Sequence, residues 1–347
     1  MATPNPLAAA VPVPDVSKTT LTIAGLHVDV YGLAELAPGA ASVSCLWLHH
    51  PRLKRKEDMA TIASLALDAW NQQPAARSRG LVAAAWDQRN HGTRLASDLA
   101  NHAWRQGNTK HAQDMFGIVS GMVVDNALLI DALEGYVFGN GEHNGDVPRH
   151  IDQHLALGVS LGGHSVWQTM FAEPRVTAGV AVIGCPDFAG LMSGRARKSK
   201  LPTFSAADAG ASFLGSRDFP PALVRAVAKY DPKGILFGPD DVAGSPTPEP
   251  EQARLRPLLD ARVRGKKFQL LSGGQDKLVP YAKSEPFLTF FKGAAATWYQ
   301  GGDVSVEDNV YPDAGHEFSP AMMKDAVRFI VDVVSEAGKG QVTAAKI

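Results

Sequence analysis

A serine flanked by glycines is the strongest candidate nucleophile in this sequence. Ser160 lies in the segment 158–163 (GVSLGG), between an apolar run of strand length, 154–159, and a segment with helical spacing, 161–172. A serine on a tight strand-to-helix turn is held in strained backbone geometry, and small neighbours let the turn close around its exposed hydroxyl. The start of the helix favours negative charge that develops there. The pattern predicts that Ser160 is a nucleophile; the structural alternative is a serine that caps a helix in a glycine-rich turn.

A serine hydroxyl is a weak nucleophile and needs a base, which in turn needs an acid to orient it. Downstream, Asp276 in GGQDKLVP and His316 in DAGHE each follow a predicted strand. Chemistry gathers at the carboxyl edge of a parallel sheet, so the chain order Ser, Asp, His favours a catalytic triad. Asp187, in GCPDF, follows an earlier strand and is a rival for the acid.

The elements that position these residues alternate along the chain. Helical spacing is found in 58–70, 114–136, 161–172 and 320–337. Buried-strand patterns are found in 19–24, 26–31, 42–49, 80–86, 154–159, 176–184, 267–272, 295–299 and 307–311. This alternation predicts an α/β protein with a mostly parallel sheet covered on both faces.

From about residue 19 to 337 the sequence resembles the α/β-hydrolase superfamily. Besides the serine segment, the likeness lies in 87–92 (DQRNHG), similar to that superfamily's D-x-R-x-x-G, and in the His49-His50 pair, where its members usually have His-Gly. The GGQDKLVP and GHEF segments resemble the dienelactone-hydrolase and prolyl-oligopeptidase-like branch. The resemblance implies an α/β-hydrolase fold with a short helical lid. It also implies Ser160 as nucleophile, Asp276 as orienting acid, His316 as base, and no cofactor.

The predicted domain organisation has four parts. Residues 1–18 are rich in proline and alanine and predict a flexible arm, and 338–347 predict a flexible tail around the hydrolase domain, 19–337. The strand–helix rhythm breaks over about 186–265, which we interpret as the lid insertion. Its apolar residues either line a substrate pocket or form the lid's own core: Phe188, Leu191, Met192, Phe204, Phe213, Leu214 and Phe219.

The oxyanion hole is where the sequence departs from its relatives. A tetrahedral intermediate needs backbone N–H donors from the residue after the nucleophile, here Leu161, and from the loop after the third strand. The usual second position is Pro51, which has no N–H. We predict that the amide of Arg52 replaces it; the alternatives are the Arg52 side chain, or a hole with one strong donor.

Composition narrows the function classes. The 347 residues carry 34 Lys and Arg against 35 Asp and Glu, a net charge of −1 that offers no global field for nucleic acid. No uninterrupted apolar run reaches the roughly 18 to 20 residues of a membrane helix, so we expect no membrane insertion.

Cys45 and Cys185 cannot form a disulfide framework, and the histidines and carboxylates of 139–154 predict a polar loop rather than a metal site. The basic residues Arg52, Lys54, Arg55 and Lys56 form either a solvated face or a contact for an anionic substrate group.

These observations predict a serine hydrolase that acts on a small-molecule carboxylic ester, without metal or organic cofactor. A thioester or activated amide, acyl transfer, a peptidase, and a non-catalytic binding protein are the alternatives. A cytoplasmic location is expected. The final Ala345-Lys346-Ile347 resembles a peroxisomal import tripeptide and gives the alternative location.

Overall fold

The computed structural model describes residues 5–8, 11–139, 147–244 and 246–344, and an eight-stranded sheet forms its centre. The strands are β1 (Lys18–Ile23), β2 (Leu26–Tyr31), β3 (Ser42–His49), β4 (Arg79–Trp86), β5 (His150–Val159), β6 (Val176–Val182), β7 (Lys267–Gly273) and β8 (Ser305–Tyr311). Their spatial order is β1-β2-β4-β3-β5-β6-β7-β8. The first two pairings, β1 with β2 and β2 with β4, are antiparallel, and all others are parallel. The predicted α/β class with a mostly parallel sheet is confirmed.

Helices cover both faces of the sheet. They are α1 (Ala60–Asn71), α2 (His111–Phe138), α3 (Leu161–Ala172), α4 (Phe188–Lys198), α5 (Pro221–Tyr230), α6 (Pro232–Phe237), α7 (Glu249–Arg262), α8 (Glu285–Ala296) and α9 (Pro320–Ala344). One apolar core joins the sheet to α1 and α9, and the other joins it to α2, α3, α7 and α8. Buried on both faces, the central strands need continuous apolar runs, and β4 is buried at every position.

One predicted strand is wrong. Residues 295–299 were expected to form a strand, but they contain the end of α8 and the turn that follows it. The helix is amphipathic: Phe287, Phe291 and Ala294 recur at helical spacing and are buried in the core. Periodicity over a short apolar run cannot separate a buried helix end from a strand.

The predicted insertion, 186–265, divides into two structural parts. Helices α4 and α5 contribute to a third apolar cluster beside the carboxyl edge of the sheet. Helices α6 and α7 instead pack into the core of one sheet face. Parallel strands need a crossover connection, and α7 lies in the one between β6 and β7. The lid-like part therefore ends before α6.

The predicted arm and tail have structure where they are described. The carbonyl of Pro6 accepts a hydrogen bond of 2.7 Å from the amide of Phe318, and Leu7 and Val16 pack against the core. At the other end, α9 continues to Ala344, beyond the expected helix end near Ala337. The tripeptide 345–347 lies outside the described residues.

Helix α2 is the one described helix that is long and apolar enough to cross a membrane by length and composition. Its best window has a mean hydropathy of 1.6, and 56% of that window is buried inside the protein. The expectation drawn from uninterrupted apolar runs overlooked this helix, because polar residues such as Ser120 and Asp125 break its sequence.

Candidate active site

Ser160 occupies a sharp turn between β5 and α3. Its backbone has φ 55° and ψ −110°, a left-handed conformation that a non-glycine residue rarely adopts. Two glycines make the turn possible: a Cβ on Gly158 would lie 2.2 Å from the Gly162 carbonyl oxygen, and one on Gly162 would lie 2.0 Å from that of His49. The backbone around Ser160 therefore fits only if both positions lack a side chain.

Three side chains from three strand ends form one hydrogen-bonded row. Ser160 Oγ lies 2.8 Å from His316 Nε2, and His316 Nδ1 lies 2.7 Å from Asp276 Oδ2. Because a carboxylate only accepts, the proton of the neutral imidazole belongs on Nδ1, and Nε2 is left to accept from the serine hydroxyl. The Asp276 side chain is completely buried and that of His316 is 5% exposed, so water competes little for these bonds.

The structure brings Asp276, and not Asp187, to the histidine. The second oxygen of Asp276 accepts from the amides of Leu278 and Val279 at 2.8 and 2.9 Å, which fixes the carboxylate. Asp187 instead caps α4 by accepting from the amide of Gly190 at 2.8 Å. Burial raises the pKa of Asp187.

The two predicted oxyanion donors line the same cavity as Ser160. Pro51, Arg52, Ser160 and Leu161 all line it. Leu161 is the first residue of α3, so its amide has no acceptor within the helix. The guanidinium of Arg52 donates from Nη1 to the carbonyl of Asn101 at 3.0 Å.

The imidazole of His50 fixes the peptide between Pro51 and Arg52. Its Nε2 accepts from the amide of Gln88 at 2.9 Å, so the proton of the neutral ring is on Nδ1, which donates to the Pro51 carbonyl at 2.8 Å. Burial lowers the pKa of His50 to about 3, which keeps the ring neutral. In a trans peptide the N–H points opposite to the C=O. The Arg52 N–H is therefore held on the side away from His50.

The D-x-R-x-x-G segment ties the neighbouring loops together. Asp87 accepts from the amides of Lys56 and Thr93 at 2.9 and 2.8 Å. Arg89 and Arg94 both bind the carboxylate of Asp125. This segment therefore supports the loop after β3 rather than contributing to the cavity.

The basic cluster after β3 separates into different roles. Arg52 lines the cavity, whereas Lys56 is buried and pairs with Asp29 at 2.8 Å. Lys54 and Arg55 do not line the cavity. Only Arg52 of this cluster is placed to contact a substrate.

Two histidines that lie near the motifs are neutral and bonded to the backbone. His91 Nδ1 lies 3.0 Å from the carbonyl oxygen of Arg89. His164 Nδ1 accepts from the amide of Cys185 at 2.9 Å, and burial lowers its pKa to about 3. Because Nδ1 accepts this bond, the proton of the neutral ring is on Nε2. His164 also lines the cavity, where this N–H can face a substrate.

The remaining candidates have no place in the site. Cys45 and Cys185 are free and buried. His143 and Asp146, in the polar loop, lie outside the described residues, and the described ones form no group of three or more His, Cys, Asp or Glu able to hold a metal. The apolar residues of the predicted lid lie in an apolar cluster that they share with α2: Phe188, Leu191, Met192, Phe213 and Phe219 are buried there, and Phe204 and Leu214 pack against them.

Sequence reasoning missed Arg195. It lies on α4, lines the cavity with Ser160, and has its pKa lowered to about 10 by burial. The sequence has basic residues at 195, 197, 198 and 200, but it does not show which of them face the sheet edge. The cavity measures about 100 Å³, small beside the roughly 300 to 1,000 Å³ of typical ligand pockets.

No protein-family model matches the chain, and no curated protein matches its sequence. Among solved structures, it is similar to TT1662 from Thermus thermophilus, with a TM-score of 0.53 and 18% identity, over 92% of this chain and 98% of that one. It is also similar to a putative dipeptidyl aminopeptidase IV from Bacteroides ovatus, with a TM-score of 0.51 and 11% identity, over 93% of this chain and 36% of that one. Its similarity to puromycin hydrolase has a TM-score of 0.50 and 17% identity, over 93% of this chain and 39% of that one. This chain spans less than half the length of the last two proteins. The similarity shows that the chain has the α/β-hydrolase fold.

Proposed function

We propose that this chain, which has the α/β-hydrolase fold, is a serine hydrolase that cleaves a small carboxylic ester. The observation that carries the proposal is the unbroken row from Ser160 through His316 to Asp276, opening on a cavity. Nucleophile, base and orienting acid in hydrogen-bond contact are what acyl transfer through serine requires.

In the first step, Ser160 Oγ attacks the ester carbonyl as His316 Nε2 takes the hydroxyl proton. Asp276 holds the imidazole in the required tautomer and stabilises its positive charge. The amides of Leu161 and Arg52 stabilise the carbonyl oxygen as it becomes an oxyanion. His316 then gives its proton to the leaving alkoxide, and the ester C–O bond breaks to leave an acyl group on Ser160.

In the second step, His316 takes a proton from water as the water attacks the acyl carbonyl. Return of that proton to Ser160 Oγ releases the carboxylic acid and restores the enzyme. Each proton moves between substrate, water and side chains of this chain, so no step requires a metal or an organic cofactor. An alcohol that replaces water in this step would make the protein an acyltransferase.

The small cavity favours a short ester over a peptide or a long acyl chain. A panel of p-nitrophenyl acetate, butyrate and octanoate, a butyryl thioester and an aminoacyl p-nitroanilide tests this preference. We expect kcat/KM to be highest for acetate or butyrate and to fall at least about tenfold for octanoate, since the cavity of about 100 Å³ is small beside typical ligand pockets. Cleavage of the anilide alone would instead make the protein a peptidase.

A further inference from the structure

The described residues that line the cavity beside Ser160 include several positive charges and no negative one. Its cationic lining residues are Arg52, Arg105, Arg195, Lys198 and Lys277. Among the described lining residues there is no aspartate or glutamate. The whole sequence has a net charge of −1, so this concentration is local.

Arg195 is half-buried and lines the cavity. Protein atoms surround it densely enough that burial lowers its pKa, yet it keeps surface on the cavity. Its Nη1 donates to the Sδ of Met115 at 2.9 Å, and a thioether is a weak acceptor. In the described part of the chain Arg195 forms no salt bridge, whereas Arg79 pairs with Asp152 and Arg175 with Glu173.

Arg52 repels the charge of Arg195, the buried carboxylate of Asp276 opposes that repulsion, and the neighbouring histidines are neutral. Repulsion from Arg52 lowers the pKa of Arg195 further. At about 10, this pKa still keeps the guanidinium protonated at neutral pH. His111 and His164 are neutral, because burial lowers the pKa of each to about 3. Like charges held together in a partly dry cavity repel, and a bound anion removes that repulsion.

We propose that the substrate carries an anionic oxygen group, a carboxylate or a phosphate, and that Arg195 binds it. The inference rests on the proposed ester hydrolysis at Ser160. Arginine suits this role because its planar fork binds such groups through two parallel hydrogen bonds. Arg195 and Ser160 line one cavity of about 100 Å³, so the anionic group and the scissile ester belong to one small molecule.

Pairs of substrates that have the same shape and differ by one charge test the proposal. One pair places the charge on the alcohol side: 4-acetoxybenzoate and 4-acetoxybenzamide. The other places it on the acyl side: p-nitrophenyl hydrogen adipate and its terminal amide. We expect kcat/KM to favour the charged member of at least one pair by about tenfold to a hundredfold, as expected for hydrogen bonds to a charged group. The preference should shrink as salt is added.

Arg195→Gln should reduce this preference to near one, whatever its effect on kcat/KM for the neutral member. Arg225→Gln is the matched control, since Arg225 is an exposed residue of α5 that lines no described cavity. It removes the same charge and should keep the preference. Equal cleavage of charged and neutral members by the wild type, or a preference that survives Arg195→Gln, overturns the proposal.

Labelling of Ser160 by a neutral fluorophosphonate separates this proposal from the one it rests on. Sodium benzoate or inorganic phosphate should slow labelling of the wild type and not of Arg195→Gln, and benzamide should have no effect. Protection by benzoate identifies a carboxylate site, and protection by phosphate alone identifies a phosphate site. Labelling that neither anion slows overturns the anion site, whereas a Ser160 that is never labelled overturns the proposed hydrolase.

Discussion

His50 Nδ1 donates a hydrogen bond to the carbonyl oxygen of Pro51 at 2.8 Å, and this bond aims the amide of the following residue, Arg52. The superfamily resemblance places the second oxyanion donor at Pro51, which cannot donate. A fixed Pro51 carbonyl gives a physical reason for the donor to be one residue later. Under the proposed function, His50 is therefore a positioning residue that acts through the Arg52 amide.

This arrangement predicts coupled effects on turnover of a neutral ester. Arg52→Pro should lower kcat by about 10² to 10³, the usual loss for one oxyanion donor, and Arg52→Ala by less than about tenfold. His50→Ala should lower kcat in the wild type but add little in the Arg52→Pro background, because the amide that it aims is already gone. An equal effect of His50→Ala in both backgrounds would mean that His50 only stabilises the fold, and a hundredfold loss in Arg52→Ala would place the guanidinium in the hole.

Ser160 and His316 should behave as one unit. Ser160→Ala, His316→Ala and the double variant are each expected to lose about 10⁵ to 10⁶ in kcat, because each change disables the same proton-coupled attack. Steady-state kinetics with p-nitrophenyl acetate measures this. Losses that multiply in the double variant would show that the two residues act in separate steps.

The two candidate acids, Asp276 and Asp187, should differ sharply. Asp276→Asn should lower kcat by about 10⁴, since an amide in its place permits the wrong imidazole tautomer. Asp187→Asn is the matched control and should lower kcat less than about tenfold, because asparagine can still cap α4. The reverse order of effects would assign the acid to Asp187.

Burial of histidines predicts how stability depends on pH. Burial lowers the pKa of six histidines: His49, His50, His91, His111, His154 and His164. The unfolded chain protonates them below about pH 6.5 while the folded chain keeps them neutral. The unfolded state then binds more protons. The free energy of unfolding therefore decreases as the pH is lowered, by up to about 1.4 kcal/mol per pH unit for each histidine. Asp187 and Asp231, whose pKa values burial raises, act in the opposite direction and offset part of this.

Urea unfolding at pH 7.5, 6.0 and 5.0 measures the effect. We expect the free energy of unfolding to be at least about 2 kcal/mol lower at pH 5.0 than at pH 7.5. His154→Gln should flatten this dependence, and His27→Gln, at an exposed position, should not. A stability that rises towards pH 5.0 would contradict the account.

Much of the fold was predictable because its strands are continuous apolar runs and its chemistry follows strand ends. The turn at Ser160 and the order of Asp276 and His316 are local features that a sequence displays directly. The orientation of Arg195 could not be predicted from the sequence, since it depends on how α4 rotates against the sheet edge. Residues 295–299 were misassigned for a related reason: their burial comes from tertiary packing that short-range periodicity does not encode.

The central claim is that Ser160 is an activated nucleophile. Mass spectrometry of the protein after brief treatment with a neutral fluorophosphonate tests it most directly, with Ser160→Ala and His316→Ala as comparisons. The account predicts a single adduct on the peptide that contains Ser160, absent in Ser160→Ala and formed far more slowly in His316→Ala. An unlabelled wild type, or an adduct on another residue, would contradict it.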